Sequence, residues 1–159
     1  MVDFLWTSLL IGLCATALMD IWSIVLKSLF GIAPPNWALV GRWFCHLTRG
    51  TVFHKDIAAA QPYAHELTVG WVMHYAIGIA YAAILLVAAG PGWLSAPTFL
   101  PAWIVGLVTV GAGWFILQPG MGAGWAASKR PNPMRIRALN IVAHTVFAVG
   151  LYGGALLIR

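Results

Sequence analysis

Three ionisable side chains, Asp20, His74 and His144, lie inside long apolar stretches of the sequence. One carboxylate and two imidazoles are the residue types of a two-His-one-carboxylate metal site. The same groups suit a proton relay or an Asp–His switch, because imidazole titrates near neutral pH and a buried acid needs a partner or a proton. A structural interpretation has the histidines packed between helices and Asp20 bonded to a neighbour. We predict a protonatable intramembrane cluster of Asp20, His74, His144, Thr16 and Gln118, with a metal ion held by the first three as the alternative and no other cofactor.

The composition assigns the chain to a class of protein. Of its 159 residues, 61% are apolar and 8% are charged, against about 45–50% and 25% in soluble domains. Nine basic and four acidic side chains cannot cover the surface of a soluble fold of this length. We therefore predict a single integral membrane domain over residues 1–159, with Cys14 and Cys45 as free thiols. This excludes secreted disulfide scaffolds, disordered chains and most soluble enzymes.

Four segments are long and apolar enough to cross a bilayer. A spanning helix needs about 20 mostly apolar residues, because the hydrocarbon layer is about 30 Å thick and a helix rises about 1.5 Å per residue. The predicted fold is therefore an all-α bundle of four transmembrane helices. The predicted spans are residues 4–30, 67–89, 98–117 and 138–158.

The positive charges orient these helices. Eight of the nine Lys and Arg residues flank or occupy the loops at 31–66 and 118–137, and the loop at 90–97 has none. Lys and Arg collect in cytoplasmic loops, so we predict that both termini lie outside, with Arg159 as an exception. The same distribution explains the net charge of +5 without a nucleic acid partner. Because the first segment lacks a basic stretch before it, we expect a retained helix and not a signal peptide.

Each predicted span carries a stripe of polar or small residues. Small residues let neighbouring backbones approach closely. Because four helices enclose little room, a permeation pathway would require several copies, so we expect a homo-oligomer with glycine stripes as its interfaces. The first stripe comprises Gly12, Thr16, Asp20, Ser23 and Lys27, and the second comprises Glu66, Gly70, His74, Gly78 and Tyr81.

The first long loop contains an amphipathic segment that Asn36 can cap as a helix. Aromatic residues opposite basic ones are typical of a helix lying in the headgroup plane and held there by anionic lipid. We predict such an interfacial helix on the cytoplasmic side, the alternative being a loop helix packed on the bundle. The predicted headgroup contacts in this segment are Trp37, Arg42, Trp43, His46 and Arg49.

The third loop combines small residues with a basic cluster. Gly120, Gly122 and Gly124 lack the spacing and the preceding strand of a phosphate-binding loop. We expect the third helix instead to continue past Pro119, with its small residues packed against a neighbour, until Pro131 stops it. Lys129 and Arg130 behind them are predicted to anchor the topology and to contact lipid headgroups.

Several short motifs, spread over essentially the whole chain, resemble a known family. They are Met19-Asp20-Ile21-Trp22, Phe30-Gly31-Ile32, Asn36 through Trp43, Ile57 through Ala60, His74-Tyr75 with Gly78-Ile79-Ala80, Gln118 through Gly122 with Pro131-Asn132-Pro133, and His144 through Tyr152. In this order they are similar to the bacterial integral-membrane family called domain of unknown function 2938. The resemblance implies a four-span protein of the bacterial inner membrane. It implies no activity.

Three functional hypotheses follow from the residues. We favour a non-enzymatic permeation, transport or accessory module with a protonatable site at Asp20, His74 and His144. A metal-dependent membrane enzyme acting on a lipid or a small hydrophobic substrate, with the same three residues as ligands, is the second. The third is a scaffold that organises partners in the bilayer.

Overall fold

A computed structural model of the protein describes residues 2–90 and 92–159, and over these residues the chain is helical with no strand. The long helices are α1 (Val2–Phe30), α2 (Trp37–Leu47), α3 (Glu66–Ala89), α4 (Phe99–Gly120) and α5 (Pro133–Ile158). Short 3-10 turns lie in the connections, at Ile57–Ala59, Trp93–Ser95 and Trp125–Ala127. Both cysteines are free, as predicted.

Four of these helices, α1, α3, α4 and α5, are long and apolar enough to cross a membrane. This confirms the all-α class and the number of candidate spans. The bounds of α1 and α3 match the prediction within two residues. The last helix begins five residues earlier than predicted, at Pro133, because proline is well suited to the first turn of a helix, where its missing N–H breaks no hydrogen bond.

The end of α4 differs from the sequence-based expectation. A π-helical turn at Gly113–Leu117 precedes Pro119, with the Gln118 N–H donating to the Gly113 carbonyl five residues back. Proline cannot donate to the helical ladder and its ring crowds the preceding turn, so the helix widens there. The helix then ends at Gly120 and does not continue to Pro131. Gly122 and Gly124 adopt φ of +89° and +76°, which an α-helix excludes.

The chain divides into two compact units. The first unit comprises the N-terminal segment up to Pro34, residues 75–109 and residues 141–159. Its core is built from small and aliphatic side chains, and glycines bring its backbones into direct contact. A Cβ on Gly12 would overlap the Ile79 backbone, and one on Gly150 would overlap Ala15. Fully buried core members are Ile11, Ala15, Ala82, Leu85, Ala102, Leu151 and Ala155.

The second unit comprises residues 35–74 and 110–140. Here α2 crosses the start of α3 backbone to backbone, because a Cβ on Gly41 would overlap the Glu66 carbonyl and one on Gly70 would overlap the Trp37 carbonyl. Trp43, 4% exposed, donates from Nε1 to the Val52 carbonyl at 2.8 Å.

Charge is divided unevenly between the two units. The second unit contains seven of the nine basic residues and two of the four acidic ones. The first unit contains two of each sign, so the whole net charge of the protein belongs to the second unit.

Candidate functional site

The first unit contains a hydrogen-bonded acid and phenol within two candidate spans. The Tyr75 hydroxyl of α3 donates to Asp20 Oδ2 of α1 at 2.9 Å. Asp20 lies ten residues before the end of α1 at Phe30, or about 15 Å along the helix axis. A carboxyl group at this depth requires hydrogen-bond donors, because the hydrocarbon offers none.

The polar stripe of α1 continues on either side of Asp20. Thr16 is fully buried, and its hydroxyl oxygen occupies the space where Gly78 lacks a Cβ. No side-chain hydrogen bond of the Thr16 hydroxyl is found among the described residues. Ser23 donates to the Met19 carbonyl at 3.2 Å. Gly78 therefore lets the polar face of α1 approach α3 closely.

His144 of α5 is held by α4 within the same unit. Its Nδ1 lies 3.1 Å from the Gly106 carbonyl and 3.2 Å from the Thr109 hydroxyl, which itself donates to that carbonyl at 2.7 Å. Because a carbonyl oxygen can only accept, the contact with Gly106 favours the tautomer that carries its proton on Nδ1. In the neutral imidazole, Nε2 is then the nitrogen that can accept a proton.

His74 belongs to the second unit and is surrounded by aromatic rings there. Its ring stacks on Trp37, with centroids 3.9 Å apart and planes inclined by 27°. Trp71 lies 5.6 Å from Trp37 and 5.9 Å from His74, centroid to centroid. The convergence of Asp20, His74 and His144 remains a prediction.

A metal site at these residues gains no support from the geometry. Among the described residues, no three or more His, Cys, Asp or Glu side chains form a group that could hold a metal ion.

Gln118 lies in the second unit, immediately after the π-helical turn of α4. Its Nε2 donates to Asn140 Oδ1 at 3.1 Å, and the same oxygen accepts from Trp114 Nε1 at 3.0 Å. The Gln118 Oε1 atom is buried without a hydrogen-bond partner among the described residues. The three side chains tie the end of α4 to the first turns of α5.

The Arg42 guanidinium donates hydrogen bonds to other groups of the protein. Its Nε and Nη2 donate to the two carboxylate oxygens of Glu66 at 2.9 and 2.8 Å. Its Nη1 donates to the carbonyls of Ile57, Ala58 and Ala60 at 2.9–3.3 Å. The hydrogen bonds to Glu66 raise the pKa of Arg42 above its ordinary value. Arg42 therefore fastens the first loop between α2 and α3.

Other predicted headgroup residues of α2 and of the turn after it also contact protein. Trp43 is buried, as described above, and His46 Nε2 lies 3.0 Å from the Gln61 carbonyl. The Arg49 guanidinium lies over the Tyr63 ring, 5.0 Å from its centroid. These contacts resemble those of a loop helix packed on its own unit, which was the alternative interpretation of this segment.

The family comparison covers nearly the whole chain. The model of a family described as protein of unknown function, DUF2938, matches residues 9–158. The chain belongs to the DUF2938 family. No curated protein matches this family member, and no solved structure matches it either.

Sequence reasoning did not assign two partners of this DUF2938 protein's polar residues. The family motif places Tyr75 beside His74 without a role of its own, although a buried phenol hydroxyl usually finds a hydrogen-bond partner. Glu66 was assigned to a small-residue stripe, whereas it pairs with Arg42. For the pairing of Glu66 with Arg42, the available signal in the sequence was the presence of opposite charges near the boundary of a predicted span.

Proposed function

We propose that this DUF2938 protein is a small permeation or transport module in which Asp20 takes up and releases a proton while hydrogen-bonded to Tyr75. The supporting observation is the 2.9 Å bond from the Tyr75 hydroxyl to Asp20 Oδ2, about 15 Å from the end of α1. Intramembrane acids are costly, and they commonly belong to ion or proton pathways.

A phenol is a suitable partner for a carboxyl group that changes its protonation state. When Asp20 is ionised, the Tyr75 hydroxyl donates to it. When Asp20 is protonated, the phenol oxygen can accept from the acid. The pair therefore keeps a hydrogen bond between its two side chains in both protonation states, which lowers the cost of each state in the hydrocarbon.

We propose His144 and His74 as further proton acceptors, with Thr16 and Gln118 as polar neighbours of the pathway. His144 suits this role because its Nδ1–H is engaged by Gly106 and Thr109, which leaves Nε2 as the basic nitrogen. We also propose that several copies of the chain form the pathway.

The proposed location is the inner membrane of a bacterium, with both termini outside. Eight of the nine basic residues flank or occupy two loops, and this asymmetry supports a cytoplasmic position for those loops.

Proton flux into liposomes tests the proposal, with a pH-sensitive dye trapped inside. We expect Asp20→Asn to lower the flux by about tenfold or more, which corresponds to roughly 1.4 kcal/mol in the barrier. Tyr75→Phe keeps the acid and should lower the flux less. Asp3→Asn is the matched control, since Asp3 lies in the first turn of α1, and it should behave like the parent. Equal flux through the parent and Asp20→Asn would refute the proton pathway.

The scaffold hypothesis is the second candidate, and the close packing of the same stripe supports it. Gly12 meets the Ile79 backbone and Gly78 meets Thr16, so the polar face of α1 also serves helix packing. A scaffold predicts that Asp20→Asn lowers thermal stability while the flux of both proteins equals that of empty liposomes.

A further inference from the structure

Four basic residues follow α4 without any acidic residue near them in sequence. Residues 110–140 contain no Asp or Glu and include Lys129, Arg130, Arg135 and Arg137. Among the described residues, Lys129, Arg130 and Arg135 are exposed and form no ion pair. Arg137 differs, because its Nε donates to the Ala126 carbonyl at 2.8 Å.

The backbone of this loop is held in one shape. Ala126 and Ala127 both have positive φ, +46° and +59°, a conformation that costs alanine about 1–2 kcal/mol per residue. Besides the Arg137 bond, the Lys129 N–H donates to the Ala123 carbonyl at 2.9 Å. A Cβ on Gly122 would overlap the Lys55 carbonyl. Lys129 and Arg130 therefore follow a strained backbone that hydrogen bonds hold in place, and Arg135 lies in the first turn of α5.

Large apolar side chains accompany the cations. Trp125 and Met134 are 65% and 69% exposed. The loop connects two candidate spans, from Gly120 to Pro133, and a loop that joins two spans emerges from the bilayer at the level of the lipid headgroups. Tryptophan is enriched at that level of a bilayer, and Lys and Arg there attract anionic lipid.

We propose that the loop at 121–132, together with the first turn of α5, binds the headgroup of an anionic phospholipid. Lys129, Arg130 and Arg135 contact its phosphate, and Trp125 and Met134 contact its acyl chains. We propose a lipid and not free phosphate as the ligand, because the apolar indole of Trp125 and the thioether of Met134 are exposed beside the charges. Bound phosphate also relieves the mutual repulsion of three unpaired cations.

Thermal unfolding of the detergent-solubilised protein with added lipid tests this site. Phosphatidylglycerol, in excess over its dissociation constant, should raise the Tm of the parent by about 2–4 °C more than phosphatidylcholine does. The triple variant Lys129→Gln/Arg130→Gln/Arg135→Gln should lose this difference. Lys27→Gln/Lys55→Gln/Arg159→Gln removes as many charges elsewhere and should keep it.

Other outcomes overturn the proposal. An equal effect of phosphatidylglycerol on the parent and on the triple variant would show that the loop is not the site. Loss of the effect in both triple variants would indicate a response to net charge alone. If inorganic phosphate at the same concentration reproduced the shift, the site would be one for free phosphate. Native mass spectrometry of the parent should retain phosphatidylglycerol in preference to phosphatidylcholine, which provides a readout independent of stability.

Discussion

At the scale of single residues, hydrogen bonding determines what the charged side chains can do. Asp20 accepts a hydrogen bond from the Tyr75 hydroxyl within the candidate spans, and proton exchange at this carboxyl group is the function that we propose. The Arg42 guanidinium donates hydrogen bonds to Glu66 and to three loop carbonyls, so its charge stabilises the fold. Lys129 and Arg130 are exposed and face the solvent or lipid.

Replacement of Arg42 tests its structural role. We expect Arg42→Met to lower the free energy of unfolding by about 2–3 kcal/mol, because the half-buried Glu66 carboxylate and three carbonyls lose their donors together. Arg42→Lys should recover only part of this loss, since an ammonium cannot reproduce the two-pronged contact with Glu66. Unfolding in detergent micelles measures the effect.

The control for this prediction lies in the turn that follows α2. Arg49→Met removes a cation over the Tyr63 ring, an interaction of about 0.5–1 kcal/mol at an exposed site. A larger loss for Arg49→Met than for Arg42→Met would contradict the assignment of Arg42 as the fastener of the loop.

At the scale of elements, glycines determine how closely helices pack. The α2–α3 crossing depends on two absent Cβ atoms, at Gly41 and Gly70. Not every helical glycine is constrained in this way: a Cβ on Gly113, in the π-helical turn, would meet nothing within 4 Å.

This contrast gives a matched pair of substitutions. Gly41→Ala should destabilise the protein by about 3 kcal/mol or more, because its Cβ would overlap the Glu66 carbonyl and the helices must separate. Gly113→Ala should be neutral or stabilising by about 0.5–1 kcal/mol, since alanine favours helix over glycine. Chemical or thermal unfolding compares the two, and equal losses would mean that the crossing tolerates a wider spacing.

The sequence predicted the helices better than their contacts. The spans were predictable because long apolar runs leave the backbone no alternative to a helix in a bilayer. The prediction that α4 continues to Pro131 was wrong. It rests on the spacing of small residues and neglects that glycines such as Gly122 and Gly124 readily adopt positive φ. The Asp20–Tyr75 bond and the Arg42–Glu66 pair depend on how helices are rotated and tilted against each other, and no single-sequence pattern specifies that.

At the scale of the whole molecule, the protein combines four candidate spans with few charged side chains, and the net positive charge belongs to one of the two units. The proposed orientation depends on these basic residues, and the proposed function depends on an acid within a candidate span. The DUF2938 family model matches residues 9–158, so family membership extends over nearly the whole chain.

The most direct measurement is the infrared difference spectrum of the bilayer-reconstituted protein as the bulk pH is stepped. As the pH falls, the parent should show a carboxylic C=O component that is missing in Asp20→Asn, where the bands of Asp3, Asp56 and Glu66 remain. In Tyr75→Phe this component should shift to higher frequency, because the phenol bond is lost. An identical band in the parent and in Asp20→Asn would contradict proton exchange at this residue.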